Sequence, residues 1–169
     1  MGLLTLTHIV FEFRKDPDDP NKIQTRPIMD AGSRILAQNG IIVNVAIGVD
    51  VHTAEYFRMR DEPLPEQISC QALVDTGASS LFIDRSIAEK LRLARRGITT
   101  ALTAAGPRPC NVYAVSLSFP GSTLRNYGLI KAADCDLSHQ EYKCLIGRDV
   151  MSLWHIHYNG QTGTISIAD

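Results

Sequence analysis

Asp75 is the residue whose surroundings most favour chemistry. It lies in the segment 72–83, ALVDTGASSLFI, in which one apolar run leads into Asp75, Thr76 and Gly77 and a second apolar run leaves them. This pattern predicts a buried strand that ends in a turn presenting a carboxylate. Gly77 permits a tight turn and a close approach because it has no Cβ. Such a carboxylate could cap a helix, bind a cation or do acid–base chemistry, and the flanking sequence favours the last.

The segment 72–83 resembles the active-site loop of aspartic proteases, in which two hydrophobic residues precede Asp-Thr-Gly and Ala or Ser follows. A second segment, CLIGRDVM at 144–151, is similar to the hydrophobic-hydrophobic-Gly-Arg-Asp/Asn segment of retropepsins, the single-domain retroviral-type branch. The chain between them has room for a helix, a flap hairpin and several strands. The resemblance covers about residues 41 to 158.

The resemblance implies a mostly β, closed and barrel-like acid-protease fold with one or two short helices, assembled as a two-fold homodimer. Residues 41–169 would form the retropepsin-like protease domain, and residues 1–40 an N-terminal extension of unknown role. Asp75 would be the catalytic residue. The other implied residues are the active-site loop (Thr76, Gly77, Ala78), the substrate-binding flap (Ala104, Ala105, Gly106) and the structural support (Ile146, Gly147, Arg148, Asp149).

The chain has one Asp-Thr-Gly segment, whereas pepsin-like enzymes carry two. A working site therefore requires a homodimer in which Asp75 meets its symmetry mate. In aspartic proteases such a pair shares one proton; the ionised member is the general base on a water that attacks a peptide bond. By resemblance, Thr76 would stiffen the two loops across the dimer axis, and the substrate would be a polypeptide. No cofactor or metal is expected.

Three further features of the sequence change the expectations. Ala78 is of the retroviral type, whereas pepsin-like loops have a hydroxyl residue there that can bond the catalytic carboxylate, and this difference predicts activity at mildly acidic or neutral pH rather than below about pH 3. Ser79 stands where viral enzymes usually have an Asp that pairs with the Arg of Gly-Arg-Asp, so Asp149 becomes a candidate partner for Arg148. Viral enzymes also interleave N- and C-terminal strands between subunits, whereas this chain ends in its own hairpin.

Two other interpretations stay open at this point. A retropepsin-like fold with weak turnover could bind peptides or scaffold a complex, and a monomer in solution would favour that function. Alternatively, Asp-Thr-Gly could be a structural turn in an unrelated β-rich domain that binds small molecules.

Length and composition set the broad class. At 169 residues and a net charge of −1, the chain is predicted to be one globular domain with no nucleic-acid or membrane partner. Its first residues lack the basic region of a signal peptide and the length of a membrane span. Four cysteines without a C-x-x-C pair predict reduced thiols and a cytoplasmic protein.

Hydrophobic alternation and turn residues predict the remaining elements. Strands are expected at 5–14, 41–51, 67–74, 111–119 and 124–132, with a hairpin over 98–109 and another closing the chain after Trp154. Asp84 is expected to cap a helix that runs to about Leu93. Residues 35–38 fit either a short helix or an extended linker.

Three polar clusters favour solvent-exposed surface over a binding site. Arg92, Arg95 and Arg96 could bind phosphate but are more typical of a solvated helix end. Two other groups have cation-binding residue types without metal-site spacing, so a loop and an exposed strand face are preferred. They are Asp134, Asp136, His139 and Glu141 in the first group, and His155 and His157 in the second.

Overall fold

The protein is described here from a computed structural model, which places residues 1–7, 11–15, 19, 22–27, 31–103 and 106–169. These residues form twelve strands and four helices. The strands are β1 (Leu3–Thr7), β2 (Phe11–Lys15), β3 (Ile23–Pro27), β4 (Ile41–Val49), β5 (Ile68–Val74), β6 (Leu81–Asp84), β7 (Gly97–Thr103), β8 (Gly106–Ser118), β9 (Tyr127–Cys135), β10 (Cys144–Ile146), β11 (His155–Asn159) and β12 (Thr164–Ala168). The helices are α1 (Ala31–Asn39), α2 (Val51–Met59), α3 (Arg85–Lys90) and α4 (Arg148–Met151).

Seven strands form the main sheet, in the order β4-β5-β10-β6-β9-β8-β7. Most neighbours are antiparallel, but β10 runs parallel to β5 and β6 runs parallel to β9. β4 also pairs with β8, so the pairings run from β4 through the sheet and back to β4. The mostly β class predicted from the sequence is confirmed.

The core packs against this sheet, and burial alternates along β8 from Tyr113 onward, whereas all four residues of β6 are buried. Val43, Val45 and Ile47 of β4 are fully buried and join one cluster with residues of β5, β6, β8 and β10. Burying such side chains stabilises the fold by roughly 1.5–3 kcal/mol each.

The helices exceed the one or two expected from the sequence. Asp84 caps α3 as predicted, since its carboxylate accepts the N–H of Ser86 at 3.0 Å, but that helix ends at Lys90 rather than near Leu93. Asp50 caps α2 in the same way through the N–H of His52 at 3.0 Å. Helix α2 was missed because the apolar alternation of β4 extends into Val51, and Asp50 was the available signal.

Three strands form a second, small sheet in the order β1-β12-β11. β11 and β12 are the predicted closing hairpin, and β1 pairs antiparallel with β12 along its whole length. The single strand expected at 5–14 is instead two strands: β1 ends at Thr7, and β2 pairs with β3 in a sheet of their own. Residues 8–10 lie outside the described part of the chain.

Packing joins the small sheet to the core. Ile165 and Ile167 of β12 are fully buried, and the ring of Trp154 lies edge-on to Phe119 at 5.4 Å between centroids. No helix in the described ranges is long and apolar enough to cross a membrane. The same ranges hold no group of three or more His, Cys, Asp or Glu side chains placed to bind a metal ion.

Candidate active site

Asp75 directly follows β5, at the point where the strand leaves the core. Its N–H donates to the carbonyl of Ile146 at 3.0 Å, and its Oδ1 accepts the N–H of Gly77 at 2.7 Å. Its Oδ2 makes no hydrogen bond within the described part of the chain. The side chain is half-buried. The backbone therefore orients one carboxylate oxygen and leaves the other open.

The Ile-Gly-Arg segment lies against this loop. β10 is inserted between β5 and β6, and a Cβ added to Gly147 would lie 2.3 Å from the carbonyl oxygen of Ser80. The N–H of Arg148 donates to the carbonyl of Ala78 at 3.0 Å. The two segments, far apart in sequence, hold each other through backbone contacts that only glycine at 147 permits.

Arg148 and Asp149 each support the Asp75 loop separately. The Arg148 guanidinium donates to the carbonyl of Thr76 at 2.6 Å. The Asp149 carboxylate accepts the N–H of Leu81 at 3.0 Å and that of Val150 at 2.8 Å. The Arg148–Asp149 ion pair suggested by the sequence is therefore not formed among the described residues. Arg148 bonds the Thr76 backbone carbonyl instead, and its side chain is exposed.

The remaining loop residues differ in exposure. Thr76 is exposed, and its hydroxyl makes no hydrogen bond with the part of the chain that the structure describes. Ala78 is buried and packs with Phe82, Cys110 and Ala133. Gly77 leaves room for the Asp75 carboxylate, since a Cβ there would lie 3.0 Å from Oδ1.

The predicted hairpin over 98–109 is present as β7 and β8, which pair from Gly97↔Val112 to Thr103↔Gly106. A cleft of about 600 Å³ is bounded by the Asp75 loop and by this hairpin. That volume is within the range of ligand sites, roughly 300–1,000 Å³. The hairpin residues that line the cleft are Ala101, Leu102, Thr103, Arg108, Pro109 and Cys110.

Two of the three residues predicted as the flap, Ala104 and Ala105, lie outside the described residues. Gly106 begins β8 with φ +102°, a backbone conformation that favours glycine, and is not among the residues lining the cleft. Among the described residues, the hairpin side of the cleft is formed by residues 101–103 of β7 and 108–110 of β8.

Comparison with known proteins identifies the family. A sequence model described as "Aspartyl protease" matches residues 66–150, just over half of the chain. The chain belongs to the aspartyl protease family. The matched segment contains both the Asp75 loop and the Ile-Gly-Arg segment, and the family resemblance seen in the sequence is confirmed.

The other comparisons add less to this assignment. Among solved structures, the chain is similar to a retropepsin-like aspartic protease from Rickettsia conorii, with 14% sequence identity and a TM-score of 0.44. That similarity covers 75% of this chain and 91% of the other. No curated protein matches the sequence.

Beyond the aspartyl protease motif, a network of polar groups around Asp134 lies beside the cleft. Asp134 is only 1% exposed. Its carboxylate accepts two hydrogen bonds from Asn111, one from the backbone N–H at 2.8 Å and one from the side-chain amide at 2.9 Å. Arg85 approaches it to 3.6 Å. Burial, and the negative charge of Asp134, raise the pKa of Tyr113, so its hydroxyl stays protonated and donates to Asp134. Asp134 is thus fully occupied with structural bonds.

Cys135 also lines the cleft. Burial is the main cause and the neighbouring Cys110 a smaller cause that together raise the pKa of the Cys135 thiol to about 12. Because the thiolate is the nucleophilic form, this cysteine is unreactive near neutral pH. Asp75 and Asp136 both line the cleft with one carboxylate oxygen that makes no hydrogen bond among the described residues, and Asp75 is the one that lies in the Asp-Thr-Gly loop.

Sequence reasoning missed part of the cleft wall. Phe82 and Leu145 line it from β6 and β10, and Arg85 lines it from the start of α3. The apolar run of β6 beside the Asp75 loop could have indicated Phe82. Asp134 was considered only as part of a candidate metal cluster, and nothing in its local sequence indicates that β9 carries it to the cleft.

Proposed function

We propose that this protein is an aspartic endopeptidase of the retropepsin type, which hydrolyses peptide bonds as a homodimer. Family membership supports a peptide hydrolase with a polypeptide substrate. The observation that carries the proposal is the position of Asp75, whose carboxylate is oriented by the Gly77 N–H at 2.7 Å and lines the cleft under the β7–β8 hairpin.

We propose a homodimer because one carboxylate cannot act as both the general base and the proton donor of an aspartic protease. An aspartic dyad needs one ionised and one protonated member, and each chain carries a single Asp-Thr-Gly segment. Two Asp75 side chains facing across a two-fold axis would share one proton and titrate as a unit. The exposed Thr76 hydroxyl, which has no partner among the described residues, supports this arrangement because it is free to bond across the axis.

In the proposed mechanism the ionised Asp75 takes a proton from a water held between the two carboxylates. The water attacks the scissile carbonyl, which the protonated Asp75 of the other subunit polarises by hydrogen bonding. The amine leaves with a proton returned from the dyad. The Gly77 N–H and the contacts of Ile146 and Arg148 keep each carboxylate in place through these steps.

The proposal also includes the domain architecture and the cellular location of the protein. The pairing of β4 with β8 fits a closed, barrel-like protease domain over residues 41–169, with residues 1–40 as an extension. We also propose a cytoplasmic location, which is supported by four cysteines that are all free. Burial raises the pKa of Cys70 to about 11, which is typical of an unreactive structural thiol.

The test is a peptide-library cleavage assay across pH on the wild type and on Asp75→Asn. The substitution keeps the shape of the side chain and removes its charge. Exposed Asp61→Asn, outside the cleft, is the matched control. We expect wild type and control to cleave, Asp75→Asn to lose at least about 10³-fold in kcat/KM, and all three to be dimers by sedimentation.

Two results would count against the proposal. Cleavage by Asp75→Asn at the wild-type rate would exclude the dyad. If no variant cleaves any peptide while all remain folded dimers, the protein is a peptide-binding or scaffolding module rather than an active protease.

A further inference from the structure

Charged side chains line the cleft on two sides, and their surroundings differ. Arg85, Asp134 and Asp136 lie where β9 ends and α3 begins, whereas Arg108 lies on the β7–β8 hairpin. On the first side each charge has a partner: Arg85 lies 3.6 Å from Asp134, and the Asp136 carboxylate accepts the N–H and the hydroxyl of Ser138 at 3.0 Å and 2.6 Å. The Arg108 guanidinium makes no hydrogen bond or ion pair with any residue that the structure describes.

The register of the hairpin places the Arg108 side chain on the face that meets the cleft. Side chains two residues apart on a strand share a face, so Arg108 lies on the same face as Cys110, which is buried in one cluster with Ala78 and Phe82. Ala101, directly opposite Arg108 on β7, packs against the same cluster. The unpartnered guanidinium therefore lies beside an apolar surface that adjoins the active-site loop.

A cation in this position favours an anionic group in the ligand. A guanidinium presents several N–H donors in one plane, a geometry that matches the two oxygens of a carboxylate. A peptide bound in the cleft also excludes water from the apolar surface, and a charge pair is stronger where water is excluded. A basic side chain at the same place would meet a like charge instead.

The acidic residue across the cleft is less suited to select a substrate charge. Hydrogen bonds from Ser138, with smaller contributions from the charges of His139 and Arg85, hold the pKa of Asp136 below its ordinary value. The Asp136 carboxylate is thus already stabilised by groups of this chain. Arg108 is the charged group of the described cleft lining that depends on the ligand for a partner.

We propose that Arg108 is a specificity-determining residue that binds an acidic side chain of the peptide substrate, so that the protein prefers peptides with Asp or Glu near the cleaved bond. This inference rests on the proposed function, because it concerns the substrate of the same cleft. In the proposed homodimer the two-fold axis places one Arg108 on each side of the cleaved bond. The preference is therefore expected at matching positions before and after that bond.

The test compares peptides that differ in one side chain only. Peptides that the wild type cleaves are first identified from a library, and each position flanking the cleaved bond is then replaced in turn by Glu, Gln or Lys. Glu and Gln have the same shape and differ in charge. The assays are run at about pH 6, where a peptide glutamate with an ordinary pKa of about 4.3 is ionised.

Three variants connect the preference to Arg108. Arg108→Gln removes its charge and Arg108→Glu reverses it, while Arg95→Glu is the control, since Arg95 is exposed and lies outside the cleft. We expect wild type and control to cleave the Glu peptide roughly 10-fold more efficiently in kcat/KM than the Gln peptide, with the difference in KM. Arg108→Gln should cleave the two peptides alike, and Arg108→Glu should prefer the Lys peptide.

The contrary results separate this inference from the proposed function. A wild type that cleaves the Glu, Gln and Lys peptides equally well refutes the role of Arg108 and leaves the protease assignment standing. A Glu preference that persists in Arg108→Gln also refutes it, because another group must then bind the acidic side chain. A wild-type preference for Lys would assign charge recognition to Asp136 instead. A folded wild type that cleaves no peptide overturns both the proposed function and this inference.

Discussion

The two walls of the cleft are built differently. The Asp75 loop is held by backbone bonds from Ile146 and Arg148 and by the close approach of Gly147 to Ser80. The opposite wall is the β7–β8 hairpin, in which β7 pairs with no described strand other than β8 and exposes every residue except Ala101, which is half-buried. The chemical wall is fixed by tertiary contacts from distant segments. The outer strand of the hairpin wall, β7, is held by its pairing with β8 and by the packing of Ala101 against the cluster that contains Ala78 and Cys110. Substitutions should therefore affect stability on the first wall and substrate binding on the second.

Gly147→Ala is expected to give the largest effect, because its Cβ would lie 2.3 Å from the Ser80 carbonyl oxygen. Relieving that overlap requires the backbone to move, at a cost of about 3 kcal/mol in the free energy of unfolding. Gly97→Ala on β7 is the matched control, since a Cβ there meets no atom within 4 Å. It should change stability by less than about 0.5 kcal/mol. If urea denaturation shows the same loss in the free energy of unfolding for both variants, the two walls of the cleft are equally constrained.

Asp84→Asn tests, through its pH dependence, the stability of the region where β6 ends and α3 begins, next to the Asp75 loop. Burial raises the pKa of Asp84, but hydrogen bonds from Ser86 and from the N–H of Leu137 outweigh it and leave the pKa below its ordinary 3.8. A depressed pKa contributes stability that is present above the ordinary value and is lost as pH falls through the folded value. The substitution should cost about 2 kcal/mol at pH 7 and progressively less below about pH 4.

The control for this experiment is Glu89→Gln, which removes an exposed carboxylate of the same helix region that makes no hydrogen bond or ion pair within the described residues. It should leave unfolding unchanged across the same pH range. If the loss for Asp84→Asn is the same at pH 3 as at pH 7, ionised Asp84 is not what stabilises this region.

Leu102→Ser is expected to have the smallest effect on stability and a selective effect on binding. Leu102 is 86% exposed but lines the cleft, whereas Ile98 on the same strand is 66% exposed and lies outside it. If the protein cleaves peptides as proposed, Leu102→Ser should raise KM about 10-fold, because substrate no longer buries that side chain. Ile98→Ser should leave KM unchanged. A similar KM for both variants would show that Leu102 on the hairpin does not contact the substrate.

The sequence was most informative where a function depends on local geometry. Asp75-Thr76-Gly77 between apolar runs, and Ile146-Gly147-Arg148 in the second segment, predicted two strand ends that the structure brings together. The hairpin over 98–109 and the cap at Asp84 were also predicted. The partner of Arg148 was not predicted, because the sequence suggests carboxylates as partners and cannot show that a backbone carbonyl lies within reach of the guanidinium.

By itself, the sequence determined the family, the position of the carboxylate on a tight loop and most strands, because alternation, caps and turn residues act over a few neighbouring residues. Only the tertiary structure decided which distant strands meet. It inserts β10 between β5 and β6, brings Asp134 to the cleft and pairs β1 with β12. These pairings are selected by how whole strands bury their apolar faces together, and that selection is not written in any single segment.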